Sequence, residues 1–156
     1  MAAHDRDVGK SEDAIEMLKA DHQKVRNLFQ QYTAAGDQNA KRQIAEQVFV
    51  ELETHAQLEE MVFYQAFEEE ADDEGKQLVE EARQEHQEVK DLIAELRDCD
   101  ADHEFDTKFR QLMENVEHHV QEEEAEMFPE AEEILAEQLD ELMDEMQEIK
   151  ERLFAS

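Results

Sequence analysis

The sequence is long enough for one domain and is strongly acidic. Its 156 residues include 45 Asp and Glu against 15 Lys and Arg, which gives a formal net charge of −30. A surface with this charge repels nucleic acid and anionic lipid, so we expect neither as a partner. Solvated helix faces explain the acidity most simply. Adaptation to a salt-rich cytoplasm, which would screen the self-repulsion, is the second explanation.

The composition favours helices. Gly (3) and Pro (1) are scarce and Trp is absent, while the dominant residues lose little rotamer freedom in a helix. The composition therefore predicts an all-α protein. The single cysteine, Cys99, cannot form an intrachain disulfide, which fits a reducing compartment. The first ten residues lack the apolar run of a signal peptide, and no window reaches the length of a membrane span. We therefore expect a cytoplasmic protein.

Apolar residues at helical spacing predict four long helices. Ser11 is the predicted cap of the first helix, with acidic residues in its first turn. The fourth helix is predicted to stop at Pro129, because proline interrupts helical hydrogen bonding. The predicted ranges are about 11–32, about 40–70, from the break at 72–75 to about 96, and from the polar stretch 98–102 to 129.

Short loops between long helices force neighbouring helices to run antiparallel. We therefore predict an up-down-up-down four-helix bundle with an additional C-terminal helix. The predicted parts of the chain are a flexible tail (1–10), the bundle (11–131) and a C-terminal amphipathic helix (132–156). The last helix has one narrow apolar seam. A seam of this kind usually closes one end of its own bundle, and a homodimer contact is the second interpretation.

Polar residues interrupt the inward-facing apolar stripe of each long helix. The first and third helices each place one His in the stripe, and the second and fourth each place a His followed four residues later by a Glu. A buried carboxylate without a partner costs several kcal/mol, so these groups need a counter-charge. The six residues are His22, His55, Glu59, His86, His119 and Glu123.

The second half of the chain repeats the first at an offset of 64 residues. Thirty-three residues separate His22 from His55, and the same number separates His86 from His119. The residues around these positions also align, with DHQKV matching EHQEV and HAQLEE matching HVQEEE. Two equivalent hairpins that pack antiparallel bring two ligand sets across one pseudo-two-fold axis. This repeat predicts two metal ions.

Four imidazoles and two carboxylates suit a borderline divalent ion such as iron. The lack of a cysteine pair disfavours a thiolate zinc site. We expect each metal to take two His, with Glu59 and Glu123 bridging the pair. A solvent- or oxo-bridged pair would leave coordination positions free for dioxygen or a similar small ligand. The simpler alternative is a set of core histidines satisfied by Glu and water, but the repeat in stripe register favours the metal.

Residues near the six candidates receive weaker assignments. His118 lies off the stripe, so we predict that it is exposed or contacts a ligand from outside. Glu60 and Glu124 either face solvent or accept hydrogen bonds from ligand imidazoles. Tyr64 is interpreted as bundle packing, and it reaches the metal cavity only if its helix is locally distorted.

The pattern of these motifs resembles a known family. One core His on the first and third helices, with HAQLEEMVFYQAF on the second and HVQEEEAEMFPEA on the fourth, looks like the haemerythrin family, in particular its bacterial HHE cation-binding branch. The resemblance covers about residues 11–131. It implies a non-haem di-iron centre with two iron ions held by the six residues above.

The sequence departs from the circulating oxygen carriers of this family. Those proteins have a second His four residues after the third-helix ligand, where this chain has Lys90. They also have an Asp five residues after the fourth-helix His, whereas Glu123 lies four residues after His119. One imidazole fewer implies more open irons and disfavours simple reversible oxygen carriage. The Glu-x-x-His pairs of ferritin-like di-iron enzymes are also absent from the sequence.

The resemblance and the open site together predict a protein that binds or reacts with dioxygen, peroxide or nitric oxide, in sensing, storage or detoxification. We assign no catalytic residue; the protein is an enzyme only if its centre turns over peroxide or dioxygen. The alternative is an iron-responsive protein-interaction module without catalytic activity, based on the acidic surface and the C-terminal seam. A third interpretation, a metal-free bundle, expects greater stability when Glu59 and Glu123 are replaced by Leu.

Overall fold

The computed structural model describes residues 13–155, and within that range every regular element is helical. The all-α bundle and its additional C-terminal helix are therefore confirmed. None of the described helices is both long enough and apolar enough to cross a membrane. In chain order the elements are α1 (Ala14–Ala34), α2 (Gln38–Leu58), π1 (Glu59–Phe63), α3 (Tyr64–Glu70), α4 (Asp73–Arg97), α5 (Asp102–Glu122), π2 (Glu123–Met127), α6 (Phe128–Ile134) and α7 (Leu139–Ala155).

Aspartate side chains cap the starts of three helices. Asp13, Asp37 and Asp72 each accept a hydrogen bond from the backbone N–H three residues later, at 2.8 to 3.0 Å. These bonds satisfy N–H groups that have no partner inside the first turn. The first cap is thus Asp13, whereas the predicted cap, Ser11, lies outside the described residues.

The fourth long helix continues beyond Pro129, so the predicted stop at this residue is wrong. The π-helical segment π2 changes the hydrogen-bond pattern, and the Phe128 N–H donates to the carbonyl of Glu123, five residues earlier. Pro129 then falls in the first turn of α6. A proline costs little there, because the missing N–H would have no partner within the helix. The helix therefore extends to Ile134.

The apolar core consists of two clusters, one on each side of a polar layer. On α1, Leu18 belongs to one cluster and Val25 to the other; on α4, Ala82 and Ile93 are divided in the same way. The stripe histidines lie between these residues along the chain. Two apolar clusters thus flank the polar layer along the bundle, which raises the cost of any unpaired charge inside it.

The C-terminal helix α7 packs against α1 and α2 of its own chain. Leu139, Leu142 and Met146 of its apolar seam are buried in the same cluster as Ile15 and Leu18. The seam therefore closes one end of its own bundle, as the first interpretation expects.

Shortening a buried side chain of this seam should destabilise the protein. Met146 is fully buried, so we expect Met146→Ala to lower the free energy of unfolding by about 2–5 kcal/mol. The control is Met61→Ala at a side chain that is 53% exposed, where a change within about 0.5 kcal/mol is expected. Urea titrations at two protein concentrations measure both. Equal losses in the two variants, or a midpoint that depends on protein concentration, would contradict packing within one chain.

Candidate metal centre

All six predicted ligand residues meet in the polar layer of the bundle. Each of them is buried, with no more than 7% of its surface exposed. They come from the four long helices, and both glutamates stand at the first position of a π-helical segment. The cluster consists of His22, His55, Glu59, His86, His119 and Glu123.

The two π-helical segments change which side chains face the cluster. In π1 the wider turn brings Tyr64 onto the face of Glu59, and the Tyr64 N–H donates to the Glu59 carbonyl. The Tyr64 hydroxyl lies 3.0 Å from Glu59 Oε1, contacts Glu123 Oε2 and is 3.3 Å from His86 Nε2. The π-helical turn therefore makes Tyr64 part of the site. Packing within the bundle alone would not require this local distortion.

The residue equivalent to Tyr64 in the second half is Phe128. The Phe128 ring stacks beside the His22 imidazole, with ring centroids 5.8 Å apart and the planes at 7°. The otherwise repeated site therefore has a hydroxyl on one side and only an aromatic hydrocarbon on the other.

The ligand atoms form two groups that share both carboxylates. In each group one nitrogen or oxygen from each of four residues lies within 4.8 Å of the other three, close enough to hold one metal ion. The two histidines of each hairpin belong to the same group. The groups are His22, His55, Glu59, Glu123 and His86, His119, Glu59, Glu123.

The two oxygens of Glu59 face different imidazoles. Oε2 lies 3.0 Å from His55 Nε2, and Oε1 lies 3.0 Å from His86 Nε2. A carboxylate with one oxygen in each group has the geometry of a bridging ligand.

Glu123 repeats this arrangement from the opposite hairpin. Its Oε1 lies 3.1 Å from His22 Nε2, and its Oε2 lies 3.2 Å from His119 Nε2. The pseudo-two-fold relation predicted from the repeat is therefore present in the side-chain geometry.

Four buried atoms of the cluster face one another in pairs at 3.0 and 3.1 Å without forming a hydrogen bond, and all four belong to the first group. A buried polar atom without a partner is costly, whereas one cation between these nitrogens and oxygens would satisfy all of them. A donor set of imidazole nitrogens and carboxylate oxygens without thiolate fits iron. The atoms are His22 Nε2, His55 Nε2, Glu59 Oε2 and Glu123 Oε1.

Each imidazole is held by an outer carboxylate at its other nitrogen. Because a carboxylate only accepts, each Nδ1–H is the donor, and this leaves the Nε2 lone pair directed at the centre. Glu60 and Glu124 thus accept hydrogen bonds from ligand imidazoles, one of the two roles predicted for them. The pairs are His22–Glu124 at 2.8 Å, His55–Asp21 at 3.0 Å, His86–Glu60 at 2.7 Å and His119–Glu85 at 2.7 Å.

Two of these outer carboxylates, Asp21 and Glu85, were not predicted from the sequence. Both stand immediately before a stripe histidine, at equivalent positions of the repeat. An acidic residue conserved between the two halves at an otherwise exposed-looking position is the signal that identifies them.

The carboxylates favour protonated imidazoles when no metal is bound. Burial alone would lower the pKa of His55, but the charge of Glu59 and the hydrogen bond to Asp21 outweigh burial and raise this pKa to about 10. Burial also acts to lower the pKa of His119, but the charge of Glu123 outweighs burial and raises this pKa. Protons and metal ions therefore compete for the same nitrogens.

An apolar cavity of about 40 Å³ adjoins the imidazoles. A water molecule needs roughly 10–15 Å³ of such space, so the cavity has room for a small molecule. Its walls are almost entirely apolar, which favours an uncharged diatomic ligand over an anion. Besides the four imidazoles, the lining includes Val25, Leu52, Val89, Ile93 and Val116.

Comparison with known proteins places the site within a matched domain. Residues 13–131 match the "Hemerythrin HHE cation binding domain". An uncharacterized hemerythrin-like protein of Schizosaccharomyces pombe is 33% identical over 119 residues, which cover 76% of this chain and 59% of that protein. The chain thus spans about three fifths of the length of that relative. No solved structure gives a significant match.

Metal binding at pH 7 should release protons. The raised pKa values of His55, His86 and His119 favour the protonated form of these imidazoles in the metal-free protein, and coordination requires the neutral form. Calorimetric titration with Co²⁺ in buffers of different ionisation enthalpy measures the release. The observed enthalpy should vary linearly with the buffer's ionisation enthalpy, in the direction of proton transfer to the buffer. An enthalpy that is the same in every buffer would show that no imidazole deprotonates.

Proposed function

We propose, from the premise that this chain belongs to the haemerythrin HHE cation-binding family, that its buried centre holds two iron ions and binds or reacts with dioxygen or nitric oxide. The observation that carries the proposal is the pair of ligand groups that share Glu59 and Glu123. One iron position takes His22 and His55, and the other takes His86 and His119. Sensing, storage and detoxification of the small ligand are the roles that such a centre can serve.

Bound iron supplies redox activity and open coordination positions. The chain contributes a fixed ligand set, because each imidazole is oriented by a carboxylate at its Nδ1. It also contributes one hydroxyl. Burial and the charges of Glu123 and Glu59 raise the pKa of Tyr64, so this residue keeps its proton and can donate a hydrogen bond beside His86.

The apolar cavity supports a small uncharged ligand. It contacts all four imidazoles, and the rest of its lining is mainly aliphatic side chains such as Leu52 and Val89, with Glu53 and Lys90 also present. Dioxygen and nitric oxide lose little hydration when they enter such a cavity, whereas peroxide must give up hydrogen bonds to water. Peroxide is therefore the less favoured of the three ligands.

One of the two features that favour the alternative, an iron-responsive interaction module, is not available to a partner. This alternative is based on the acidic surface and on a spare apolar seam, but Leu139, Leu142 and Met146 of that seam are buried within the same chain. The metal-free interpretation is opposed by the four unsatisfied buried atoms of the first ligand group.

Removing the charge of a bridging carboxylate should remove iron. Loss of an outer partner alone usually costs 10- to 100-fold in metal affinity, so we expect Glu59→Gln to weaken iron binding by more than about tenfold. The wild type and Glu88→Gln, a control at an exposed position of α4, should both retain two irons per chain. Metal analysis after anaerobic Fe²⁺ loading and desalting measures this. Full iron retention in Glu59→Gln, or greater stability of a Glu59→Leu, Glu123→Leu double variant without loss of metal, would argue for the metal-free bundle.

Filling the apolar cavity should slow the reaction with the small ligand without removing iron. Val89 lines the cavity and is partly buried, so Val89→Phe should obstruct it. Stopped-flow mixing of the Fe²⁺ protein with nitric oxide should give a severalfold smaller rate constant than in the wild type. Val50→Phe, at a side chain that is 38% exposed, is the matched control and should leave the rate unchanged. Identical rates in the two variants would show that the ligand reaches the irons elsewhere.

A further inference from the structure

A third group of metal-binding side chains lies at the surface, beside the buried centre. It consists of Glu85 on α4 with His118 and Glu122 on α5, and one ligand atom of each lies within 4.8 Å of the other two. His118 Nε2 is 3.1 Å from Glu122 Oε2 and 3.7 Å from Glu85 Oε2. The His118 side chain is 65% exposed, so an ion can reach this group directly from solvent.

One carboxylate connects this surface group with the buried centre. Oε1 of Glu85 accepts the hydrogen bond from His119 Nδ1 at 2.7 Å, while Oε2 of the same residue faces His118. Glu85 therefore touches a buried ligand with one oxygen and the surface group with the other.

The position of Glu85 has different neighbours in the two halves of the repeat. In the first half Asp21 stands in place of Glu85, and Lys150 of α7 lies 3.6 Å from its Oδ1. In the second half, within the part of the chain that the structure describes, neither Glu85 nor Glu122 pairs with a lysine or an arginine. Two neighbouring carboxylates without such a counter-ion favour a divalent cation. The first half also lacks the other two ligands, since Thr54 stands for His118 and Leu58 for Glu122.

A small cavity lies between the surface group and the centre. It has about 10 Å³ of space, roughly the room for one water molecule. Its polar lining includes Glu85 and Glu122 at the outer side and His119 and Glu123 at the inner side. Glu123 is only 2% exposed, and its Oε2 lies 3.2 Å from His119 Nε2. The cavity thus lies between two carboxylates of the surface group and two residues of the buried centre.

We propose that Glu85, His118 and Glu122 form a third, external divalent-cation site through which metal reaches the buried centre. A hydrated ion exchanges part of its water shell for these three ligands at the surface. The cavity beside Glu85 then offers a route to His119 and Glu123, which also line it. The delivery role depends on the proposed dinuclear centre, whereas binding of the external ion does not.

Replacing His118 by the residue of the other half tests the proposal. His118→Thr copies Thr54, and His103→Thr on the same helix is the matched control at another exposed histidine. Equilibrium dialysis against Co²⁺ under argon, followed by metal analysis, should give three ions per chain for the wild type and the control but two for His118→Thr. The visible absorption of Co²⁺ at the buried centre should also develop severalfold more slowly in His118→Thr, with the same final intensity. Glu122→Gln should reproduce both effects, and circular dichroism confirms that each variant is folded.

The outcomes separate this proposal from that of the dinuclear centre. Equal cobalt counts in the wild type and His118→Thr would overturn the external site. Loss of one ion with an unchanged filling rate would overturn its role in delivery. One ion in the wild type and none in His118→Thr would support the external site and contradict the buried dinuclear centre instead.

Discussion

The burial of two carboxylates at the middle of the bundle is the constraint that organises the rest of this structure. Glu59 and Glu123 are almost completely removed from solvent, and each would cost several kcal/mol if it lacked a counter-charge. The chain surrounds them with four imidazoles and then surrounds the imidazoles with four more carboxylates. The apolar clusters on either side make this alternation necessary, because they hold water away from the charged layer. Two cations shared between the carboxylates, as proposed above, would complete the balance.

The π-helical segments adapt two ordinary helices to this task. Each begins at one of the two buried glutamates, and each widens the helix by one residue where the candidate ligands converge. The same widening brings Tyr64 to the centre from one half and Phe128 from the other. The two groups of candidate ligands are therefore alike in their side chains but unlike in their surroundings. The symmetric set of side chains therefore has a hydroxyl group on one side and only hydrocarbon on the other.

Most of the fold and all six candidate ligands could be predicted from the sequence. The helical period places His22 and His86 among apolar neighbours, and the offset of 64 residues shows that the two halves have the same pattern of His and Glu residues. The side chains that face the core after Glu59 could not be predicted from the helical period. An uninterrupted α-helix would turn Ala66 fully inward, but the extra residue of π1 buries Phe67 and leaves Ala66 only partly buried at the edge of the core. The helix continues through Pro129 for the same reason, since only the wider turn before it makes a proline tolerable there. The role of Tyr64 depends on that turn as well. Metal binding itself is an inference from chemistry, because no pattern of residues contains the ion.

Anomalous X-ray diffraction at the iron absorption edge, from crystals of protein loaded with Fe²⁺, is the most direct test of the central claim. The account predicts two iron peaks inside each chain, with Glu59 and Glu123 contacting both and one pair of imidazoles beside each. A single internal peak, or peaks confined to acidic groups at the surface, would contradict it.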